Sequence, residues 1–149
     1  MNLSIINARL VSPGGIIEQG GVRVESGMIV EIGAALKPGV RAETIDARGC
    51  LLVPGFVDIH ADSLEAAIAP RPSAPFEPLS VLPSYDAELA MHGITTVFHC
   101  VGLAEIGDLS KSLRTRDTAI KIISAIREFE PQALMRTKIH LRYEITDTE

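Results

Sequence analysis

The chain has 149 residues, of which 46% are hydrophobic and 22% charged, and its formal net charge is −5 at pH 7. This composition is typical of a globular protein with one apolar core and excludes a disordered chain. The acidic balance and the lack of a basic patch with interleaved aromatic residues argue against a nucleic-acid partner.

The start of the chain, MNLSIINARL, lacks the basic residues and the continuous apolar run of a signal peptide. The sequence also contains no apolar stretch long enough to span a membrane. We therefore expect a cytoplasmic protein with no membrane association. Its two cysteines, Cys50 and Cys100, do not form a CxxC pair, so we expect reduced, buried thiols.

Residues 2–50 show short β-like runs that are separated by glycine, namely LSIINARLV, GIIEQ, GVRVES, GMIVEIG and AETIDARG. Alternating apolar residues on both sides of Ser26-Gly27 predict a β-hairpin at this point.

Next comes LLVPGFVDIHAD, from Leu51 to Asp62, which predicts a buried strand that ends in polar residues. Residues two apart on a strand point to the same face, so His60 and Asp62 would lie side by side, with Asp58 one step deeper. A histidine nitrogen and a carboxylate are ligands suited to zinc or manganese. The alternative is that the polar end of the strand is merely solvated.

The stretch from Ser63 to Pro83 is rich in proline and lacks periodicity, which predicts a long loop. Its only cation is Arg71, which stands between Pro70 and Pro72. The prolines restrict the backbone on both sides, and a rigid guanidinium suits the recognition of phosphate. The alternative is a stiff, exposed turn.

The remaining chain alternates helices and strands, which favours parallel βα units and an α/β fold. Ser84 as a cap and Gly93 as a terminator predict a short helix over Tyr85–His92, and GITTVFHCV predicts a strand. A second loop is expected over residues 103–114. Apolar residues at three- and four-residue steps over 119–129 predict an amphipathic helix, which Pro131 terminates. Residues 138–145 predict another strand.

In this last strand, His140, Arg142 and Glu144 share one face, and the apolar residues between them should pack against helices. Glu144 is nearest the C-terminal end of the strand, where catalytic groups of parallel barrels sit, whereas His140 and Arg142 lie deeper. Glu144 is thus a candidate ligand, and the alternative is an ion pair with Arg142. His99 is either an additional ligand or a neutral, hydrogen-bonded structural residue.

Several segments together carry a resemblance to a known family. Pro54-Gly55 precedes the strand, as in the PG-hydrophobic-x-D-x-H-x-H motif of the amidohydrolase superfamily, although Asp62 replaces the second histidine. With HADSLE, PRP, SYDAELAMHGITTV and KIHLRYE, the chain resembles the amidohydrolases of the carbon–phosphorus lyase pathway over nearly its whole length. This family hydrolyses ribose 1-methylphosphonate 5-triphosphate. It has an aspartate where the chain has FHCV, which leaves the role of His99 open.

The resemblance implies the N-terminal part of an amidohydrolase (β/α)8 barrel with a partial flanking β-sandwich. Residues 1–50 would form the partial sandwich, and residues 51–149 would form the first βα units of the barrel. Since a complete barrel usually needs about 250 residues, we expect an incomplete fragment that is catalytically inactive alone and prone to association.

The resemblance also implies the chemistry, which is metal-dependent release of pyrophosphate from a phosphorylated ribose phosphonate substrate. The cofactor would be two zinc or manganese ions, and a homo-oligomer is compatible with this interpretation. His60 and Asp62 would be metal ligands, Glu144 would bridge the two ions, and Arg71 would bind a substrate phosphate. No general acid is assigned, because it would lie on later strands.

Two other interpretations remain open at this stage. One is an amidohydrolase that acts on C–N bonds, such as a cyclic amidase or a deacetylase, because one fold supports many chemistries. The Pro-Arg-Pro segment and the His-x-Asp pair argue against it. The other is a structural or binding fragment with no catalysis.

Overall fold

The computed structural model describes residues 2–71, 74–104 and 113–143. The chain divides into two compact units, Met1–Pro54 and Gly55–Glu149. The division falls slightly later than the expected boundary at residue 50, because the short strand Leu51–Leu52 pairs with the first strand of the chain. Within the described residues, every helix is too short or too polar to cross a bilayer.

The first unit is a mixed β-sheet of five strands: β1 (Leu3–Ser12), β2 (Gly15–Glu25), β3 (Met28–Ala34), β4 (Glu43–Asp46) and β5 (Leu51–Leu52). The order is β3-β2-β1-β4, with β5 also pairing with β1. The runs GIIEQ and GVRVES were expected as separate strands, but they form the single strand β2. Gln19 has a φ of 55° where the two runs meet, so a local irregularity replaces the expected break.

The predicted hairpin at Ser26-Gly27 is confirmed. These two residues have φ values of 51° and 80°, and Glu25 pairs with Met28 across the turn. Positive φ at both central residues is the requirement of a type I′ turn, whose twist matches that of the flanking strands.

The described part of this unit has one sheet layer rather than two. Met28, Ile29, Val30 and Ile32 of β3 are all at least half exposed, with exposed fractions of 69%, 60%, 50% and 55%. These residues alternate between the two faces of the strand. Among the described residues, no second layer of apolar side chains therefore packs on either face of β3.

The second unit contains β6 (Phe56–Ala61), α1 (Ser63–Ile68), α2 (Pro78–Met91), β7 (Ile94–Leu103), α3 (Arg116–Phe129) and β8 (Arg136–Tyr143). The strands are parallel in the order β6-β7-β8, so strands that follow one another in the chain are neighbours in the sheet. This is the βα arrangement predicted from the sequence, and it forms an open three-stranded sheet in the described residues.

The predicted loop from Ser63 to Pro83 is wrong, because it contains α1 and the start of α2. Pro78 stands in the first turn of α2, where its missing N–H costs nothing. Pro83 lies inside the helix on its exposed side, where water can satisfy the carbonyl that loses its partner. Ser84 is therefore an internal residue, not the predicted cap, and its hydroxyl donates to the carbonyl of Val81 at 3.0 Å.

The strand before the His-x-Asp pair was expected to be buried, but β6 is largely exposed. Phe56, Val57 and Ile59 have exposed fractions of 57%, 56% and 70%. Among the described strands β6 pairs only with β7, so it forms one edge of the sheet. Leu141 and Tyr143 on β8, expected to pack against helices, are similarly more than half exposed, because no described helix covers them.

The core of the second unit lies between the helices and one face of the sheet. The predicted amphipathic helix is confirmed as α3, and its apolar stripe is buried, with Ala119, Ile122, Ile126 and Phe129 each at most 4% exposed. It packs with residues of α1, α2 and β7, namely Leu64, Ile68, Leu82, Tyr85, Leu89, Val97 and Val101. The opposite face of the sheet, called the polar face below, carries Lys138, His140 and Arg142 of β8.

We expect Ile122→Ala to lower the free energy of unfolding by about 2–5 kcal/mol, because it leaves a cavity beneath α3. The matched control is Ile120→Ala on the same helix, where the side chain is 52% exposed. This control should change stability by less than about 0.5 kcal/mol. Urea unfolding followed by circular dichroism measures both values, and equal effects would contradict the assigned orientation of α3.

Candidate metal centre

The parallel register brings three potential metal ligands together on the polar face of the sheet. Cys100 on β7 pairs directly with His140 on β8. His60 stands near the end of β6, where Ala61 pairs with His99. One donor atom from each of His60, Cys100 and His140 lies within 4.8 Å of the others. The two imidazole rings meet edge to face, with centroids 4.9 Å apart.

The end of β6 is held in an irregular conformation that presents His60. The pairing of β6 with β7 shifts register between Asp58 and Ala61. Asp58 accepts the backbone N–H of His60 at 3.0 Å, which fixes the strand at this shift. Bulges of this kind commonly redirect side chains beside functional sites.

Asp62 lies next to His60, although not by simple strand alternation. It is the residue before α1 and has helical backbone angles, since β6 ends at Ala61. Its Oδ2 atom is nevertheless 3.2 Å from Nε2 of His60. The structure therefore brings the predicted pair together through a strand-to-helix turn.

Asp62 also forms the centre of a polar network. Its Oδ1 atom accepts a hydrogen bond from Arg142 at 3.1 Å, and its Oδ2 atom faces His60. Burial alone would raise the pKa of Asp62, but the contacts with Cys100, Arg142 and His60 outweigh it and lower the pKa. Burial, and then the nearby Asp62, raise the pKa of the Cys100 thiol to about 11. At neutral pH the carboxylate is thus charged and the thiol protonated.

His140 is oriented by the backbone of the neighbouring segment. Its Nδ1 atom lies 3.3 Å from the carbonyl oxygen of Ile59. A carbonyl oxygen can only accept, so Nδ1 is the donor in this contact, and the neutral tautomer that makes it has its lone pair on Nε2. A backbone carbonyl on the second ring nitrogen is the usual way in which proteins orient a metal-binding histidine.

These residues fit a divalent metal ion. Imidazole, thiolate and carboxylate are the groups that bind zinc. With ligand bonds of about 2.0–2.2 Å, two ligands of one ion stand roughly 3–3.5 Å apart. The 3.2 Å separation between His60 and Asp62 falls within this range.

Of the other two residues predicted for the site, Arg71 does not join this cluster among the described residues. Glu144 lies outside the described residues. Arg71 is exposed, and its carbonyl accepts the N–H of Ala74 at 3.1 Å. No hydrogen bond or ion pair among the described residues links Arg71 to His60 or Asp62.

Sequence reasoning missed Cys100 and did not name His140 as a ligand. Cys100 is buried, as expected, at 1% exposure, but its sulfur lies on the face that carries the histidines. The available signal was strand alternation, which puts Cys100 on the face opposite His99. The expectation for Cys50 was wrong, because this residue is exposed.

His99 lies on the other face of the sheet, away from the metal cluster. It is 3% exposed, and its ring is 5.9 Å from that of Tyr85. Burial lowers its pKa, although the negative charges of Asp86 and Asp58 oppose this effect. His99 is thus a neutral core residue at physiological pH.

Glu65, which the sequence analysis did not single out, anchors α1 to the C-terminal end of β7. One oxygen accepts the backbone N–H of Gly102 at 3.0 Å. The other is 3.1 Å from Nε of Arg114. A Cβ atom on Gly102 would stand 3.0 Å from Cδ of Arg114, so a larger residue here would require the Arg114 side chain to shift by a few tenths of an ångström.

The chain is 32% identical over 105 residues to alpha-D-ribose 1-methylphosphonate 5-triphosphate diphosphatase of Escherichia coli (strain K12), and this match covers 69% of the chain and 27% of that protein. No protein-family model matches the chain.

Solved structures show the same fold. N-acetylglucosamine-6-phosphate deacetylase of Pasteurella multocida has a TM-score of 0.68 at 14% identity, covering 95% of this chain and 34% of that one. Molinate hydrolase has a TM-score of 0.58 at 18% identity, with coverages of 94% and 29%. L-hydantoinase of Arthrobacter aurescens has a TM-score of 0.52 at 26% identity, with coverages of 95% and 27%.

The chain therefore has the fold found in part of the amidohydrolases. Its sequence resembles the N-terminal part of alpha-D-ribose 1-methylphosphonate 5-triphosphate diphosphatase, as the sequence motifs predicted. It spans about a quarter of the length of this curated relative, since the match covers 27% of it.

The lowered pKa of His99 predicts an acid-dependent loss of stability. The unfolded chain binds a proton at His99 near its ordinary pKa of about 6.5, before the folded chain does. The stabilising contribution is thus complete above this pH and is lost as the pH falls. The free energy of unfolding, measured by urea titration from about pH 8 to about pH 5, should decrease less in His99→Gln than in the parent chain.

The control is His92→Gln, at an exposed histidine that ends α2. It should keep the pH dependence of the parent chain. Identical profiles for His99→Gln and the parent would show that burial of His99 does not set this dependence.

Proposed function

We propose that this protein is a metal-dependent hydrolase of the amidohydrolase type that acts on a phosphoanhydride bond. The observation that carries the proposal is the approach of His60 and Asp62 to 3.2 Å at the end of a parallel strand. The resemblance of the sequence to a known diphosphatase supports the same chemistry.

The proposed substrate is ribose 1-methylphosphonate 5-triphosphate. Water adds to phosphorus, and the anhydride bond between the first and second phosphates of the 5-triphosphate breaks. The products are the 5-phosphate and pyrophosphate, and the two protons of the water end on the product oxygens or in solvent. This substrate class is proposed from the relative's name alone.

His60 and Asp62 are the proposed metal ligands, and Glu144 is proposed to bridge two zinc or manganese ions. When bound, such ions offset phosphate charge and lower the pKa of water. Arg142 positions the carboxylate of Asp62 by its contact with Oδ1, which leaves Oδ2 directed at His60.

Arg71 is proposed to bind a phosphoryl group that does not react. It is exposed, it has no ion-pair partner among the described residues, and its planar guanidinium can form two parallel hydrogen bonds with a phosphate. Its position after α1 puts it in the connection that follows the strand of His60.

A second candidate function is hydrolysis of C–N bonds. It is favoured by one observation, which is that the solved structures of similar fold include a deacetylase and a hydantoinase. Fold alone does not decide between these chemistries, because function depends on the groups of the site.

The ligand assignment predicts that His60→Ala and Asp62→Ala each lower metal affinity by at least about 10-fold, since loss of even an outer partner costs this much. Elemental analysis of dialysed protein measures the metal content. His92→Ala, at the exposed histidine that follows α2, should retain the metal content of the parent chain. Full stoichiometry in both site variants would remove His60 and Asp62 from the metal centre.

The substrate assignment predicts release of pyrophosphate from the ribose triphosphate, abolished by a chelator. The assay should use this chain and any product of its gene that continues past Glu149. Arg71→Lys keeps the charge but loses the planar fork, and should lower kcat/KM by about 10-fold or more. Arg127→Lys, an exposed arginine on α3, is the matched control.

Two results would count against the substrate assignment. If a cyclic amide were opened and no pyrophosphate released, the second candidate function would replace it. If pyrophosphate were released equally by Arg71→Lys and the parent, the phosphate-binding role of Arg71 would be withdrawn while the activity stood.

A further inference from the structure

We propose that Cys100 is a sulfur ligand of the metal centre, together with His60 and His140, and that it makes the centre selective for zinc. This inference rests on the metal-binding part of the proposed function and is independent of the phosphoanhydride substrate. It assigns a role to a side chain that the proposed hydrolysis does not use.

The first argument is position. Cys100 lies on the middle strand β7, and a histidine from each neighbouring strand flanks it on the same face. Among the residues that the structure describes, these three form a group in which every donor atom lies within 4.8 Å of the others. Side chains from three separate strands thus converge on one point.

The second argument is distance. Zinc binds nitrogen at about 2.0–2.1 Å and sulfur at about 2.3 Å, so adjacent ligands in a tetrahedral site are roughly 3.3–3.6 Å apart. The donor atoms lie within 4.8 Å of one another, so a metal ion would need them to approach by at most about 1.2–1.5 Å, which side-chain rotations can provide. The set of two imidazoles and one sulfur then leaves a fourth position on the side of Asp62.

The third argument is the surroundings of the sulfur. Cys100 is 1% exposed, and its sulfur lies near His60 and His140 on the face of the sheet opposite the apolar core. On metal binding the S–H bond breaks, a sulfur–metal bond forms, and the proton leaves to solvent.

The chemistry of sulfur sets the expected selectivity. Thiolate ligands favour zinc, whereas sites made only of carboxylate and water suit manganese or magnesium. With Cys100 as a ligand, the centre should bind zinc much more tightly than manganese. Without it, the remaining nitrogen and oxygen ligands should discriminate less.

Cobalt(II) substitution tests the proposal directly, because a thiolate bound to cobalt(II) gives a sulfur-to-metal charge-transfer absorption in the near ultraviolet. Nitrogen and oxygen ligands give only the weaker visible d–d bands. We expect the full chain to show the charge-transfer band, and Cys100→Ser to lose it while keeping visible bands. Cys50→Ser, at the exposed cysteine of the first unit, is the matched control and should keep the band.

A competition experiment gives a second measurement. The ratio of zinc affinity to manganese affinity, measured with a chromophoric chelator, should fall by about 10-fold or more in Cys100→Ser. It should not change in Cys50→Ser. If Cys100→Ser does not fold, the spectrum of the unmodified chain and that of Cys50→Ser still decide the question.

The outcomes separate this inference from the proposed function. Visible cobalt bands without a charge-transfer band in the unmodified chain would overturn the sulfur ligand and leave a metal centre of nitrogen and oxygen. Loss of the band in Cys50→Ser would assign the sulfur elsewhere and also overturn it. Absence of any cobalt binding would overturn both the inference and the metal centre. A charge-transfer band with no pyrophosphate release would support Cys100 and reject only the substrate.

Discussion

The parallel hydrogen bonding of β6, β7 and β8 is the constraint on which the second unit depends. This pairing fixes which side chains share a face, because successive residues of a strand alternate between faces. On one face it aligns His60, Cys100 and His140. On the other it supplies Val97 and Val101 to the apolar core. A shift of one residue in β7 would exchange Cys100 with His99 and put a sulfur in the core.

Two carboxylates in the helices attach the core to this sheet. Glu65 of α1 accepts the backbone N–H of Gly102, near the end of β7, and Asp86 of α2 accepts that of Leu134 at 2.8 Å, just before β8. Hydrogen bonds to charged acceptors are stronger than neutral ones, and each of these replaces water on a partly buried amide. The helices thus hold the ends of the strands, and with them the polar residues that those strands carry.

Asp62 links the fold to the chemistry of the site. Arg142 balances the negative charge of Asp62. The carboxylate can therefore stay beside His60 before any metal ion is bound. The contact between Arg142 and Asp62 would weaken metal binding, because the guanidinium and a metal ion would compete for the same carboxylate. About half of the Asp62 side chain is exposed, at 52%, and water can screen this competition.

The sequence by itself determined the features that depend on residues close in the chain. Alternating apolar residues around Ser26-Gly27 made the hairpin predictable, and apolar periodicity did so for α3. The His60-x-Asp62 spacing located one end of the candidate site. The tertiary structure decided the rest. The helix through Pro83, the exposed edge strand β6 and the place of Cys100 beside His140 all depend on which elements are neighbours. Strand register and the packing of distant segments set these contacts, and a local pattern of residues carries no information about either.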